Sequence, residues 1–437
     1  MEKEITEKSG LARIAAVLPE DIRRSGCDYG HAILVLLKWL ATGVLVGALV
    51  GTVGALFGSI LTVANRLRQQ YPLIVLGLPF GGLLIVFLYR YFKNAGDKGT
   101  NTIVSSLQES TDIPLRMAPL IFVSTVITHL LGGSSGREGA AIQMGGSIAN
   151  ALGVGLKFRE ADRKAVVMCG MSAGFSALFG TPLAAAVFSL EVVSVGIMHY
   201  SALVPCVTAS LTASWVAGLC GMKAEVFPVS GLPEMTPERF FPVVAFAALA
   251  AAVSILFCLV LHKGEHLYER YFRNQYLRIF VAGWLIILLS AVLGGEYLGS
   301  GMEIIDGIFE TGRTPWVTFL LKILFTALTL GAGFKGGEIV PSFCIGAALG
   351  CAAAPLFGLP PELLAACGMV GVFCGVTNSP VTSLLIALEL FGAEGMPYYL
   401  TAVAVSYLLS GYHTLYKRQQ IVYSKTNSSF RAYWKKS

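Results

Sequence analysis

Thirteen apolar stretches follow one another along the chain, and this pattern restricts the folds that it can adopt. Several are shorter than the roughly 20 residues that cross the hydrocarbon core of a bilayer, and several contain glycine or proline. We therefore predict an all-α polytopic membrane protein of broken, tilted helices, in which irregular backbone lines a cavity. The stretches span 33–64, 72–93, 118–132, 139–158, 164–198, 202–220, 240–261, 278–297, 316–334, 342–358, 362–377, 380–393 and 397–412.

The overall composition agrees with this prediction. Of the 437 residues, 55% are hydrophobic and 13% are charged, which is about half the charged fraction of a soluble domain. This shortage of charge argues against an ordinary cytosolic enzyme, a disordered chain and a nucleic-acid-binding protein. Membrane lipid is the expected surrounding, and no nucleic-acid partner is expected.

The charged residues concentrate at the two ends of the chain. Residues 1–31 are polar, with no basic start followed by an apolar core, and predict a cytoplasmic N-terminal segment without a cleavable signal. Residues 417–437 carry six basic residues and no acidic one, and predict a basic cytoplasmic C-terminal tail by the positive-inside rule.

A polar connection divides the membrane part into two halves. Segment 222–239 contains three prolines and no apolar period, which is typical of a linker. We predict a first membrane repeat at 32–221, a connecting segment at 222–239 and a second membrane repeat at 240–416. The polar segment 262–277 is a further expected connection outside the membrane.

An internal repeat supports two related halves. Residues 170–191 match residues 368–389 at an offset of 198, with six identities in 22 positions and no gap. The matched glutamates follow the matched prolines by nine positions, so we predict a shared structural role for them at helix ends. The pairs are Pro182 with Pro380 and Glu191 with Glu389.

Each half also has a glutamate next to glycine before a run of small residues. In the first half this is Glu138, and a buried acid in an apolar stretch is a functional hypothesis by default. A helix beginning there presents unpaired N–H groups and a positive dipole end, which bind anions. An ionised Glu138 can occupy such a site, and a protonated one can leave it. The alternative is that Glu138 only caps a helix or pairs with Arg137.

The equivalent acid of the second half is Glu338, in Gly336-Gly337-Glu338-Ile339. It is predicted to be a second proton-carrying or gating residue. The alternative is a structural brace that accepts hydrogen bonds from backbone N–H groups.

Three further polar residues are candidates for an anion path. Thr100 and Asn101 follow Gly99 and offer side-chain donors, although the segment alone indicates an ordinary turn. Tyr416 offers one phenol donor just past the last apolar run, where an interfacial aromatic residue is the alternative.

Other chemistries receive less support from the sequence. Gly133-Ser134-Ser135-Gly136 has the G-x-S-G form of intramembrane serine proteases, with His129 and His199 as candidate bases. None of the nine cysteines forms a C-x-x-C pair and the histidines have no metal spacing, so no metal or cofactor is expected.

Together these residues resemble the CLC superfamily of chloride channels and anion/proton antiporters. Gly136–Gly139 is similar to the family's G-[KR]-E-G-P motif, and Gly336–Pro341 is similar to its G-G-x-F-x-P motif. The resemblance implies a homodimer with two inverted repeats and one pore in each subunit. It also implies gating and proton coupling by Glu138 and Glu338. The implied anion-binding residues are Thr100, Asn101, Gly136, Arg137, Gly139, Ile339, Val340 and Tyr416.

The departures from the family pattern resemble the CLC-F branch of bacterial fluoride/proton antiporters. Ala140 replaces the proline after the gating glutamate, Glu338 replaces an apolar residue, and Val192 stands where chloride/proton antiporters have an internal acid. The implied function is export of cytoplasmic fluoride across the plasma membrane in exchange for inward protons. A chloride/proton antiporter and a passive anion channel of the same fold are the alternatives.

Overall fold

The computed structural model describes the backbone of residues 2–94, 96–97, 99–109, 113–229, 231–426 and 430–433, and side chains from residue 30 to 426 within those ranges. Within these residues the chain forms sixteen α-helices. They are α1 (Glu2–Gln70), α2 (Leu78–Tyr91), α3 (Thr100–Glu109), α4 (Met117–Leu130), α5 (Glu138–Gly155), α6 (Glu160–Phe179), α7 (Pro182–Glu191), α8 (Leu203–Leu219), α9 (Pro237–Tyr271), α10 (Gln275–Leu293), α11 (Met302–Thr311), α12 (Thr318–Ala332), α13 (Ile339–Phe357), α14 (Pro361–Thr377), α15 (Pro380–Phe391) and α16 (Met396–Leu409).

The helices agree with the predicted all-α membrane architecture. Among the described residues, six helical segments are long and apolar enough to cross a bilayer, and six shorter apolar helices accompany them. Leucines on the outer helices are exposed, such as Leu84, Leu219 and Leu288, and present apolar side chains to the surroundings. The all-α prediction is confirmed.

The two predicted polar connections, 262–277 and 222–239, have different backbone structures. Residues 262–271 continue α9 as a helix up to Tyr271, and only residues 272–274 separate it from α10. The segment before α9 is extended instead, and it contacts both halves. The Glu225 N–H donates to the Phe179 carbonyl oxygen and the Phe227 N–H donates to the Leu390 carbonyl oxygen.

The two halves use the same helix crossing at their centres. A methyl group placed on Gly145 of α5 would meet the backbone carbonyl of Gly170 of α6. A methyl group on Gly346 of α13 would likewise meet the carbonyl of Gly368 of α14. Helices in apolar surroundings associate through such close backbone contacts at small residues. Both crossings therefore depend on glycine on each side.

We expect Gly170→Ala to destabilise the protein by about 3 kcal/mol or more, because the new methyl group would meet backbone that cannot yield. The melting temperature in detergent, read by size-exclusion fluorescence, measures this loss. Gly155→Ala is the matched control, since nothing lies within 4 Å of a methyl group at Gly155. Equal melting temperatures for both variants would contradict the role of the crossing.

The repeat-related glutamates cap each other's helices. Glu191, the last residue of α7, accepts hydrogen bonds from the Val381 and Thr382 N–H groups at the start of α15, at 3.1 and 2.9 Å. Glu389 of α15 accepts from the Leu183 and Ala184 N–H groups at the start of α7, both at 2.9 Å. The predicted structural role at helix ends is confirmed, and each half stabilises a helix of the other.

Part of the predicted basic tail packs into the body of the protein. A strand, β1 (Ser194–Val195), pairs in parallel with β2 (Gln420–Tyr423), and β2 pairs antiparallel with β3 (Phe430–Tyr433). The side chain of Gln419 donates to the carbonyl oxygens of Val192 and Thr377 at 2.9 and 2.8 Å. Residues 427–429 and 434–437 of the tail lie outside the described residues.

Lys425 connects this segment to the end of α16 through hydrogen bonds. Its ammonium donates to the Tyr407 carbonyl oxygen at 2.8 Å, to Ser410 Oγ at 3.2 Å, and to Asn378 Oδ1. Burial lowers the pKa of Lys425 to about 8. Tyr416 directly precedes the tail, so the contacts of Gln419 and Lys425 also restrain the position of Tyr416.

Candidate anion site

The two glycine-glutamate motifs lie side by side. Gly136 and Gly337 form a two-residue antiparallel bridge in which the Gly136 N–H donates to the Gly337 carbonyl oxygen at 2.6 Å. The Gly337 N–H donates back to the Gly136 carbonyl oxygen at 2.7 Å. A methyl group on Gly337 would lie 2.6 Å from the Gly139 nitrogen, so this approach needs glycine. The bridge brings the starts of α5 and α13 together.

Glu138 is the first residue of α5 and has no exposed surface. Its carboxylate accepts a hydrogen bond from the Arg137 backbone N–H at 3.1 Å and from Arg137 Nε at 3.3 Å. The same guanidinium donates to Glu225 Oε1 at 2.6 Å. Glu138 thus pairs with Arg137, as one sequence alternative required, and that arginine is shared with a second acid.

Glu338 lies on the other side of the bridge, at the N-cap position of α13, and its side chain makes no capping hydrogen bond. A methyl group on Gly139 would lie 3.5 Å from Glu338 Oε2 and 3.4 Å from Thr100 Oγ1. Both oxygens therefore face the same side of Gly139. No capping hydrogen bond to α13 supports the alternative of a structural brace, and the proton-carrying role of Glu338 stays a prediction.

The start of α3 meets the same region. Thr100, the first residue of α3, is buried, and its hydroxyl accepts a hydrogen bond from Gln143 Nε2 at 3.4 Å. The helices α3, α5 and α13 therefore begin around one point. Since helix starts present N–H groups and positive dipole ends, this arrangement favours an anion.

Asn101 and Tyr416 connect this point to the C-terminal segment. Asn101 Oδ1 accepts from the Arg418 backbone N–H at 3.3 Å. Tyr416 is fully buried, and its hydroxyl has no hydrogen-bond partner among the described residues. Tyr416 also interacts electrostatically with Glu338. The alternative of an interfacial aromatic residue is wrong, because the ring is enclosed by protein.

Ile339 and Val340 contribute backbone rather than side-chain chemistry. Both are fully buried in the first turn of α13, where backbone N–H groups lack partners within the helix. Gly136 and Gly139 serve the site through the close approach of the two motifs. The structure thus brings the predicted site residues together, with Arg137 on one flank and Asn101 and Tyr416 on another.

An ion pair not predicted from the sequence holds the start of α3. Asp97 accepts from the Gly99 N–H at 3.1 Å and from the Thr102 hydroxyl at 3.0 Å, and Lys335 donates to it at 3.2 Å. Lys335 directly precedes Gly336 of the second motif. The pair joins the Thr100 segment to the Glu338 segment. Its partners are far apart in sequence, so no local motif indicates the pairing.

The serine of the G-x-S-G tetrad is Ser135, whose buried hydroxyl has no hydrogen-bond partner among the described residues. Ser134 Oγ lies 3.1 Å from Thr326 Oγ1 and accepts from the wholly buried ammonium of Lys322 at 3.0 Å. His129 Nε2 donates to the Gly136 carbonyl oxygen at 3.3 Å. Among the described residues, no hydrogen bond joins a serine of the tetrad to His129 or His199, and the protease alternative is wrong.

Among the described residues, no group of three histidine, cysteine or acidic side chains is placed to hold a metal ion. The buried polar groups instead surround the starts of three helices. Apolar helices with acids at paired helix starts form the arrangement that we expect of an anion transport protein.

Comparisons with known proteins identify the family. A profile of the family described as voltage gated chloride channel matches residues 81–411. The chloride/fluoride channel protein of Pseudomonas syringae pv. tomato is 38% identical over 401 residues, which cover 89% of this chain and 88% of that protein. The H(+)/Cl(-) exchange transporter ClcA of Yersinia pestis bv. Antiqua (strain Angola) is 24% identical over 383 residues, 80% of each chain.

A solved structure supports the same family assignment. The crystal structure of a CLC-type fluoride/proton antiporter matches with a TM-score of 0.86 and 34% identity, covering 88% of this chain and 98% of that chain. This chain belongs to the CLC family, whose members are channels and transporters rather than enzymes.

We expect Tyr416→Phe to weaken fluoride binding about tenfold, because it removes one hydrogen-bond donor worth about 1 kcal/mol or somewhat more. The fold should be unaffected, since the hydroxyl has no partner among the described residues. Isothermal titration with fluoride measures the affinity. Tyr399→Phe is the matched control, because Tyr399 is also fully buried with an unpartnered hydroxyl. Equal losses of fluoride affinity in both variants would show that Tyr416 does not contribute to the site.

Proposed function

We propose that this protein is a fluoride/proton antiporter that exports cytoplasmic fluoride in exchange for inward protons. The observation that carries the proposal is the pair of acids, Glu138 and Glu338, at two helix starts joined by the Gly136–Gly337 bridge. Both the 38% identical relative and the 34% identical solved structure have fluoride in their names.

Glu138 supplies the coupling in this proposal. While ionised, its carboxylate occupies the positive start of α5 and blocks the anion there. Once protonated it is neutral, loses its attraction to Arg137 and to the helix dipole, and leaves the position to fluoride. The Glu138 carboxylate and fluoride therefore occupy the same site in turn. Each exchange moves a proton in the direction opposite to fluoride.

Glu338 is proposed as the second proton carrier. It faces the same side of Gly139 as the Thr100 hydroxyl, and its charge acts on the phenol hydroxyl of Tyr416. A proton accepted here reaches the region where the anion binds without crossing a separate internal acid. This suits a chain that has Val192 where such an acid stands in chloride/proton antiporters.

The donors support fluoride as the anion. Fluoride is small and strongly hydrated, so a dry site must replace its water with compact, strong hydrogen-bond donors. The hydroxyls of Thr100 and Tyr416, the amide of Asn101 and the first N–H groups of α13 are donors of that kind. Chloride needs fewer of them, because its charge is spread over a larger radius.

Anion-driven proton uptake in proteoliposomes, with fluoride and chloride gradients compared side by side, tests this function. We expect a fluoride gradient to drive proton uptake and a chloride gradient to drive almost none. Equal or greater uptake with chloride would favour a chloride/proton antiporter. Anion flux without proton movement would indicate a passive channel.

The surroundings of the protein follow from the same proposal. We infer an integral protein of the bacterial inner membrane with both termini in the cytoplasm, because the basic tail follows the last apolar helix and basic segments next to membrane helices favour the cytoplasmic side. We also infer a homodimer with one anion path in each subunit. Single-molecule photobleaching in liposomes would reveal the number of subunits.

A further inference from the structure

We propose that Glu225, in the segment that connects the two halves, is a positioning residue that adjusts the proton affinity of Glu138 through Arg137. The inference rests on the proposed function and names a regulator of the same site. It starts from the observation that one guanidinium is divided between two carboxylates.

The two contacts of the Arg137 guanidinium differ in length. Arg137 Nη2 lies 2.6 Å from Glu225 Oε1, whereas Arg137 Nε lies 3.3 Å from Glu138 Oε1. The Arg137 side chain is 14% exposed and that of Glu225 is 27% exposed, so the stronger contact is only partly screened by solvent. A guanidinium has several donors in a fixed plane, and a strong bond at one end restrains its contact at the other.

The backbone keeps Glu225 in this position. The Glu225 N–H donates to the Phe179 carbonyl oxygen at 3.3 Å, at the end of α6. The Phe227 N–H donates to the Leu390 carbonyl oxygen at 2.8 Å, in α15. A methyl group on Gly180 would lie 2.5 Å from Ala224 Cα, which shows how closely the segment packs beside Glu225. The carboxylate is therefore attached to both halves of the protein.

One further acid, Asp306 of α11, interacts with Glu225. Asp306 interacts with Glu225, Glu310 and Glu303, and burial together with these like charges raises the pKa of Asp306. Arg68 contacts Glu303 at 3.6 Å. Arg137 is the basic residue that contacts Glu225 directly among the described residues. Asp306 therefore adds negative charge beside Glu225, which is the acid with the shorter contact to Arg137.

The sign of the effect follows from the charges. Removing the charge of Glu225 leaves Arg137 free to pair fully with Glu138, which stabilises the ionised carboxylate. It also removes a nearby negative charge, which acts in the same direction. Glu225 therefore raises the proton affinity of Glu138, and its loss should make protonation require a lower external pH.

The test measures fluoride-driven proton uptake in proteoliposomes as a function of external pH, for the wild type, Glu225→Gln and Glu234→Gln. We expect Glu225→Gln to move the midpoint about half a pH unit lower, a threefold change in proton affinity. Glu234 is an exposed acid of the same segment, and its variant should keep the wild-type midpoint. Glu225→Asp keeps the charge but shortens its reach, and should shift the midpoint less.

An unchanged midpoint in Glu225→Gln, even with a lower transport rate, overturns the inference, because a purely structural role changes the rate and not the midpoint. If Glu225→Gln does not fold, an unchanged midpoint in Glu225→Asp overturns it equally. Absence of fluoride-driven proton uptake in the wild type overturns the proposed function itself, and this result is distinct from a coupled wild type without a shift.

Discussion

Replacing Glu138 with glutamine is expected to reduce fluoride-driven proton uptake to the background of empty liposomes. Glutamine has nearly the same shape as glutamate and can still accept from the Arg137 N–H, which donates to Glu138 at 3.1 Å in the wild type. It cannot alternate between a charged and a neutral form. The protein should therefore remain folded, and should remain a dimer where the wild type is one, while the exchange of one proton against the anion is lost.

The control for this variant is Glu160→Gln. Glu160 is the first residue of α6, as Glu138 is the first residue of α5, but it is exposed. A helix-start glutamate of this kind contributes about 1 kcal/mol or less to stability through the helix dipole. Proton uptake should be unchanged in Glu160→Gln. Unchanged proton movement in Glu138→Ala would overturn the mechanism.

Replacing Glu338 with glutamine is expected to abolish proton coupling as well. The Glu338 side chain makes no capping hydrogen bond to α13, so its loss should cost little stability. It lies opposite Glu138 across the Gly136–Gly337 bridge and interacts electrostatically with Tyr416. Without this acid, a proton that enters at Glu138 has no second carrier in the described site. A fluoride electrode measures fluoride release from the same vesicles.

Glu362→Gln provides the comparison for Glu338→Gln. Glu362 is an acid in the first turn of α14, the helix after α13, and it lies apart from the two glycine-glutamate motifs. We expect the Glu362 variant to transport fluoride and protons in the wild-type ratio. A wild-type ratio in Glu338→Gln would show that Glu338 is a structural residue and that one acid is sufficient for coupling.

The sequence was informative where burying a charged group costs free energy and where the backbone conformation requires glycine. Glu138 and Glu338 could be identified because an acid in an apolar stretch needs a reason, and because each stands next to glycines that permit a break in the helix. The repeated glutamates Glu191 and Glu389 could be assigned to helix ends from their equal spacing after proline. The reciprocal capping by these residues was not evident, since it depends on contacts between the halves.

The ion pairs around the site could not be predicted in the same way. Arg137 and Glu225 are 88 positions apart, and Asp97 and Lys335 are 238 positions apart. No periodicity relates such residues, and each of them taken alone resembles an ordinary polar residue of a connection. The spacing alone could not establish the burial of Tyr416, because a tyrosine just after an apolar run more often lies at the membrane interface.

The membrane class, the helices and the paired acids can thus be derived from the amino-acid sequence, because they depend on hydrophobicity, glycine and local spacing. The tertiary structure alone decides which helix starts meet, which acid shares Arg137 and how the C-terminal segment encloses Tyr416. These features arise from backbone contacts between distant segments, such as the Gly136–Gly337 bridge and the pairing of Ser194 with Gln420. Packing energy, rather than any local pattern of residues, selects those contacts.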